Sequence, residues 1–283
     1  MSAISGAARL AGVMGWPVAH SLSPRLHGYW LEHYKIDGAY IPMPVAPNDF
    51  EGALKALPKL GFAGVNLTVP HKEAALALAD TADDLARRLG AANTLMFKAD
   101  GQIEAHNTDG YGFIENLRDH EPHLNIDEAP AVVIGAGGSA RAVVAALSDA
   151  GAPEVRVVNR TKARAEALKR DLGGPVTVID WEARADALEG AGLLVNATTQ
   201  GMRGQPTLEL ALDALPKQAR VTDLIYAPLD TPLLVEAKAR GHRTIDGLGM
   251  LLHQARPGFT AWFGVEPRID DALRRHVLAG LTK

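Results

Sequence analysis

The sequence predicts a two-domain α/β protein, and three observations carry that prediction. Apolar, strand-like segments alternate with helix-like segments along the chain, the order that builds a mostly parallel sheet covered by helices. Two short strands, 94–98 and 102–106, flank Ala99-Asp100-Gly101, a hairpin signal that places one antiparallel member in the first sheet. After the polar stretch 120–130 the pattern changes: a buried strand, 131–134, runs into Gly135-Ala136-Gly137-Gly138-Ser139-Ala140-Arg141 and an alanine-rich helix, which is how a βαβ unit opens.

In chain order, residues 10–14 read as the first strand. Ser23-Pro24 reads as a serine cap followed by proline at the first helical position, starting a helix through Leu26, Trp30 and Leu31 to about residue 34. A strand at 39–45 and a helix at 49–57 follow. Val65, Leu67 and Val69 suit a third strand, with Pro70 opening the next helix. Lys72 then falls in the first turn, where the helix dipole disfavours a cation; a purely structural lysine sits better at the other end. A helix at 82–89 ends at Gly90, and Asn107-Thr108-Asp109-Gly110 opens another through Phe113, Ile114 and Leu117. The stretch 120–130 reads as the linker. Beyond the glycine loop, strands are expected at 155–158, 176–179, 193–195, 221–225 and 243–245. Helices at 248–256 and 267–281 have no strand after them, so they are expected to return to the first domain and make it discontinuous.

The 283 residues are 47% apolar and 22% charged, ordinary for a globular protein, with net charge −4 and no cysteine. The charge implies no nucleic-acid or membrane partner, and the missing cysteines exclude disulfides and thiolate metal sites. Arg9 and Gly12 interrupt the apolar N-terminal stretch, so no secretory leader is expected and the expected location is cytoplasmic. His20, His27 and His71 show no metal spacing and are expected to be hydrogen-bonded or exposed.

Four sets of residues have the right types for chemistry. In the glycine loop, Gly135 allows a tight turn, Gly137 lets a pyrophosphate approach the backbone, and Ala140 packs helix on strand. At the end of the next strand stands Asn159-Arg160-Thr161-Lys162-Ala163-Arg164, where an NAD site carries an acid. Arg160 and Arg164 attract a 2′-phosphate instead, so NADP is the expected cofactor. Ser21, Ser23, Thr68 and Asn93 lie at strand ends and suit a polyhydroxylated ligand, although each also suits a cap or turn. Lys72 and Asp109 both open helices. If they meet, the carboxylate orients the lysine, and a partly desolvated lysine exchanges protons near neutral pH.

Together these motifs resemble the shikimate dehydrogenase family over most of the chain. The residues carrying the resemblance in the first half are Gly15-x-Pro17-x-x-His20-Ser21-x-Ser23-Pro24-x-x-His27, Asn66-x-Thr68-x-Pro70-His71-Lys72, Gly90-Ala91-x-Asn93-Thr94 and Asn107-Thr108-Asp109-Gly110. In the second half they are the glycine loop, Asn159-Arg160-Thr161, Asn196-Ala197-Thr198-x-x-Gly201-Met202, Asp223-x-x-Tyr226-x-Pro228 and Asp246-Gly247-x-x-Met250-Leu251-x-x-Gln254. The resemblance implies reversible NADPH-dependent reduction of 3-dehydroshikimate to shikimate in aromatic amino-acid biosynthesis, by a monomer or homodimer. It implies a mostly parallel α/β substrate domain at 1–108, completed by helices at 247–283, and a Rossmann-like NADP-binding domain at 109–246, with a cleft between them. Lys72 is implied as the acid–base residue, paired with Asp109. Ser21, Ser23, Thr68, Asn93, Asp109, Tyr226 and Gln254 are implied around the substrate. Gly135, Ala136, Gly137, Gly138, Ser139, Ala140, Asn159, Arg160, Thr161, Arg164, Thr198 and Gly247 are implied around the cofactor.

Two residues depart from the family pattern. Gly28 replaces an asparagine, which is expected to loosen a local bond, and Pro257-Gly258 is expected to interrupt the helix after Gln254. The alternatives are a quinate/shikimate dehydrogenase using NAD or both cofactors, and a non-catalytic NADP-binding regulator. The regulator would be expected to lack Lys72 or Asp109, and both are present.

Overall fold

A computed structural model describes residues 4–281; the two outermost ends of the expected substrate domain, 1–3 and 282–283, lie outside them. The chain divides into two compact units, one running to Thr108 and resuming at Gln254, the other spanning Asp109–His253.

The first unit contains β1 (Arg9–Gly15), α1 (Ser23–His33), β2 (Gly38–Pro44), α2 (Phe50–Ala56), β3 (Gly64–Leu67), α3 (Lys72–Leu78), β4 (Thr81–Ala82), α4 (Asp84–Leu89), β5 (Thr94–Phe97) and β6 (Ile103–His106). Its sheet has the order β2-β1-β3-β5-β6-β4. β5 runs antiparallel to both its neighbours, and the other pairings are parallel. That geometry gathers the C-terminal ends of β1, β3 and β6 and the N-terminal end of β5 along one sheet edge. Gly64 in β3 is required by close packing: a Cβ there would sit 2.0 Å from the Trp262 indole nitrogen, which donates to the Leu95 carbonyl at 3.1 Å.

The second unit begins with α5 (Asp109–His120) and continues through β7 (Ala131–Ile134), α6 (Gly138–Asp149), β8 (Val155–Val158), α7 (Lys162–Leu172), β9 (Val176–Ile179), β10 (Leu193–Asn196), β11 (Arg220–Asp223), α8 (Pro232–Ala239) and β12 (Arg243–Ile245). All six strands are parallel, in the order β12-β11-β10-β7-β8-β9. This is the doubly wound arrangement, and its order reverses between β7 and β10, the place where such sheets bind ligands at their carboxyl ends. α9 (Leu248–Phe263) crosses the boundary at Gln254, and α10 (Asp271–Leu278) belongs to the first unit.

Several local expectations are corrected. Residues 120–130 are not a linker between the units. They lie inside the second unit, where Leu124 and Ile126 pack on its core and Glu121 pairs with Arg220 and Arg243 at 3.0 and 2.7 Å. Ser23 does not cap α1: Leu22 occupies that position, and the Ser21 hydroxyl accepts the Ser23 N–H at 3.3 Å. Pro70 does not open α3; it lies in the turn before it, His71 takes the cap position, and the helix starts at Lys72.

Pro257 does not break α9, which runs unbroken through it. An interior proline costs about 3 kcal/mol. Against that, Phe259 and Trp262 one turn beyond are fully buried, and each such burial contributes roughly 2–3 kcal/mol. Gly258 lacks the Cβ that would lie 2.8 Å from the Trp262 ring.

His27 is neither hydrogen-bonded nor exposed. It is fully buried, its ring stacks on Tyr40 with 3.9 Å between centroids, and neither ring nitrogen has a partner among the described residues. Burial pushes its pKa down to about 3. The folded state therefore binds fewer protons than the unfolded state below about pH 6.5, and stability falls as pH drops from there toward about 3. At about pH 5 this one group removes about 2 kcal/mol relative to neutral pH. In denaturant titrations at the two pH values, His27→Phe should lose less stability on acidification than the unsubstituted chain, by about that amount. An equal loss would show that His27 charges freely in the folded state.

Candidate active site

In the first unit, the expected substrate residues collect along the sheet edge. β1 ends at Gly15, where a Cβ would meet the Thr68 methyl at 2.3 Å, so the glycine is what allows Thr68 to lie against β1. The Thr68 N–H donates to the Met14 carbonyl at 2.9 Å. α3 starts four residues beyond Thr68, and the carbonyl of Lys72 accepts the Ala92 N–H at 2.9 Å, which holds the first turn beside Asn93. Lys72 itself is half-buried. The Asn93 N–H donates to the His106 carbonyl at 3.0 Å, and its amide nitrogen reaches Gln254 Oε1 at 3.4 Å and Thr108 Oγ1 at 3.0 Å. Ser21 and Ser23 follow β1 and are linked to each other, and the Ser23 hydroxyl hydrogen-bonds the buried Tyr40 phenol. The structure thus brings Asn93 and Gln254 into direct contact and places Ser21, Ser23, Thr68 and Lys72 on the loops and helix starts of this unit.

In the second unit, Asp109 is the buried first residue of α5, and Tyr226 is half-buried after β11, with burial pushing its phenol up. A cavity of about 380 Å³ opens at the carboxyl ends of β7, β8 and β10, at the order reversal. Gly135, Ala136, Gly137, Asn159, Arg160, Thr161, Arg164 and Thr198 line it. Gly135 adopts φ +120°, open to glycine, and a Cβ would lie 2.9 Å from the Ala197 carbonyl oxygen. Gly137 sits at the cap of α6 with open space where a Cβ would be, so the backbone there is accessible. Lys162 is paired with Asp180 at 2.7 Å; among the described residues, neither Arg160 nor Arg164 has an acidic partner. Two guanidinium groups are therefore available at the cavity wall. Glycine cradle, helix N-terminus and unpaired arginines together fit a dinucleotide carrying an extra phosphate.

Four of the expected cofactor residues do not line this cavity. Gly138 and Ser139 form the exposed first turn of α6, and Ala140 is buried as the helix–sheet packing residue. Gly247 is buried elsewhere: a Cβ there would stand 2.3 Å from the Leu224 carbonyl oxygen, which by itself accounts for the glycine. Thr161 occupies the cap position of α7 but makes no capping bond through its side chain.

Two family descriptions match the chain: "Shikimate dehydrogenase substrate binding domain" over residues 13–95, and "Shikimate / quinate 5-dehydrogenase" over 118–206. A shikimate dehydrogenase (NADP(+)) from Paramagnetospirillum magneticum is 60% identical over 276 residues, covering 98% of this chain and all of the relative. The chain belongs to the shikimate dehydrogenase family. Among solved family structures, shikimate 5-dehydrogenase of Thermus thermophilus with NADP(H) and shikimate is 38% identical, with TM-score 0.85 over 96% of this chain and 99% of that one. The quinate dehydrogenase of Corynebacterium glutamicum with NAD is 31% identical, with TM-score 0.88 over 98% and 99%. The two sheets are those of the family's substrate domain and Rossmann-like domain.

Of the two departures from the family pattern, Gly28 leaves open space at its Cβ position, so nothing in the described structure fills the missing side chain's place, and Pro257 is absorbed as described. Sequence reading missed Trp181, Thr199, Gln200, Gln205 and Pro206 in the cavity wall. Thr199 and Gln200 follow Thr198 directly and could have been inferred from it; Trp181 comes from a separate short turn and has no local signal. It also missed the support beneath Thr198, whose N–H and hydroxyl donate to Asn196 Oδ1 at 3.1 and 2.8 Å. Asn196 in turn donates to Asp223, and burial pushes the Asp223 carboxyl up even with Thr231 and the Ile225 N–H also donating to it.

Proposed function

We propose that this chain is an NADP-dependent shikimate dehydrogenase, reducing 3-dehydroshikimate to shikimate reversibly with NADPH. The observation that carries this reading is the cavity of the second unit, which joins a glycine cradle to two unpaired arginines, in a chain that is 60% identical to an NADP-dependent relative.

NADP, when bound, exchanges a hydride with the ring carbon that carries the ketone. Gly135, Ala136 and Gly137 receive the pyrophosphate against the start of α6, and Arg160 and Arg164 hold the 2′-phosphate, with Asn159, Thr161 and Thr198 completing the wall. Lys72 Nζ gives a proton to the oxygen that becomes the hydroxyl, and takes it back in the reverse direction. Asp109 is the carboxylate that acts with Lys72 in that transfer. Ser21, Ser23, Thr68, Asn93, Tyr226 and Gln254 hold the substrate's hydroxyls and carboxylate. The sheet-edge placement of Ser21, Thr68, Asn93 and Lys72 supports these assignments, because each follows or precedes a strand whose register is fixed on both sides.

The test is to incubate the purified chain with shikimate and NADP and follow both NADPH absorbance and the product by chromatography. Stoichiometric formation of NADPH and 3-dehydroshikimate is expected. Cofactor binding without either product would favour the non-catalytic regulator.

A further inference from the structure

Resting on the reading of the second unit's cavity as the cofactor site, we propose that Asp223 is a positioning residue of this enzyme: its carboxylate holds the segment 198–200 against the part of the dinucleotide that NADP and NAD share.

Asn196 and Asp223 are the last residues of β10 and β11, and the parallel register sets them side by side. Both are fully buried. Two backbone groups fix the Asn196 amide. Its Oδ1 accepts the Thr198 N–H at 3.1 Å, and its Nδ2 donates to the Gln200 carbonyl at 3.0 Å. The Thr198 hydroxyl donates to the same Asn196 oxygen at 2.8 Å and accepts the Gln200 N–H at 3.0 Å. Thr198 and Gln200 line the cavity, so one buried amide shapes that stretch of its wall. The other Nδ2 proton of Asn196 goes to Asp223 Oδ2 at 3.0 Å. That oxygen also accepts the Thr231 hydroxyl at 2.8 Å, and Asp223 Oδ1 accepts the Ile225 N–H at 3.0 Å.

Each carboxylate oxygen therefore faces a group that can only donate, a side-chain amide on one side and a backbone N–H on the other. A carboxylate accepts on both oxygens, whereas a carboxamide accepts on one. In Asp223→Asn the new NH2 group meets either Asn196 Nδ2 or the Ile225 N–H, and a buried donor loses its partner. Burial pushes the Asp223 carboxyl up, and its three donors oppose that push. Asp223 does not line the cavity, so its effect there passes through Asn196. In the sheet, β7 lies between β10 and β8. The segment 198–200 follows β10 and Arg160 and Arg164 follow β8, so the two lie on opposite sides of the glycine loop. A dinucleotide along that wall meets the arginines with its 2′-phosphate and the segment 198–200 with a portion common to both cofactors.

The Kd for NADPH, read by cofactor fluorescence without substrate, should rise about five- to thirtyfold in Asp223→Asn, and the Kd for NADH should rise by the same factor to within about twofold. Combined with Thr198→Val, Asp223→Asn should cost less than it does alone, because both substitutions act on one stretch of chain. Circular dichroism establishes that each variant is folded. Should Asp223→Asn not fold, Thr231→Val leaves the carboxylate two of its three donors and is read in the same way, with an expected rise of about two- to fivefold. Unchanged Kd values in the folded variant, a loss confined to NADPH, or losses that multiply in the double variant overturn the role of Asp223. If the unsubstituted chain binds NADPH but forms none from shikimate, the proposed function falls, and the Kd comparison alone decides the question of Asp223. An unsubstituted chain that binds neither cofactor overturns both.

Discussion

Replacing Lys72 by alanine should lower kcat for shikimate oxidation by about 10²- to 10⁴-fold, the range of a lost general acid–base residue. The location of Lys72 makes this a clean test. It is the first residue of α3, where the helix dipole opposes its charge, so the side chain is not there to stabilise the helix. The carbonyl of Lys72 is bonded to the Ala92 N–H, and alanine keeps that bond. Alanine is also the better helix former. The variant should fold and bind NADP normally, while turnover collapses. Stopped-flow or steady-state kinetics beside a thermal melt separate the two effects. A rate within a few-fold of the parent would remove Lys72 from proton transfer.

Arg160→Asp should lower kcat/KM for NADP by about ten- to a hundredfold and leave NAD nearly untouched. Arg160 lies at the cavity wall without an acidic partner among the described residues, so its charge is available to a phosphate and its loss disturbs no ion pair among them. The aspartate adds repulsion against a 2′-phosphate and supplies an acceptor for a ribose 2′-hydroxyl, which moves both terms in the same direction. Measuring kcat/KM for each cofactor at fixed ionic strength checks the claim, and the NADP penalty should shrink as salt is raised. Equal losses with both cofactors would mean that Arg160 supports the loop rather than recognising the phosphate.

The second sheet was fully legible from its strands, because buried parallel strands read as unbroken apolar runs such as Ala131-Val132-Val133-Ile134. The one antiparallel strand of the first sheet was legible from its hairpin. Caps were less so. Ser23 lies one position past the cap, as the first residue of α1 with Leu22 before it, and Pro70 lies two positions before α3, where His71 takes the cap. Pro257 misled for a different reason: local propensity was overridden by the burial of Phe259 and Trp262, which only the tertiary structure reveals. In the cavity wall, motif residues such as Gly135, Gly137 and Thr198 were legible, and those reaching it from elsewhere were not. Trp181 enters the cavity wall from a turn after β9. It has no periodicity or spacing that marks it.

The most direct test of the central claim is a four-way comparison of kcat/KM for the unsubstituted chain, with shikimate or quinate as substrate and NADP or NAD as cofactor. Arg160 and Arg164 at the cavity wall predict that, with shikimate, NADP exceeds NAD by at least about tenfold, and the proposed activity predicts that shikimate exceeds quinate. Quinate with NAD as the best pair, or no dependence on the cofactor's phosphate, would contradict it.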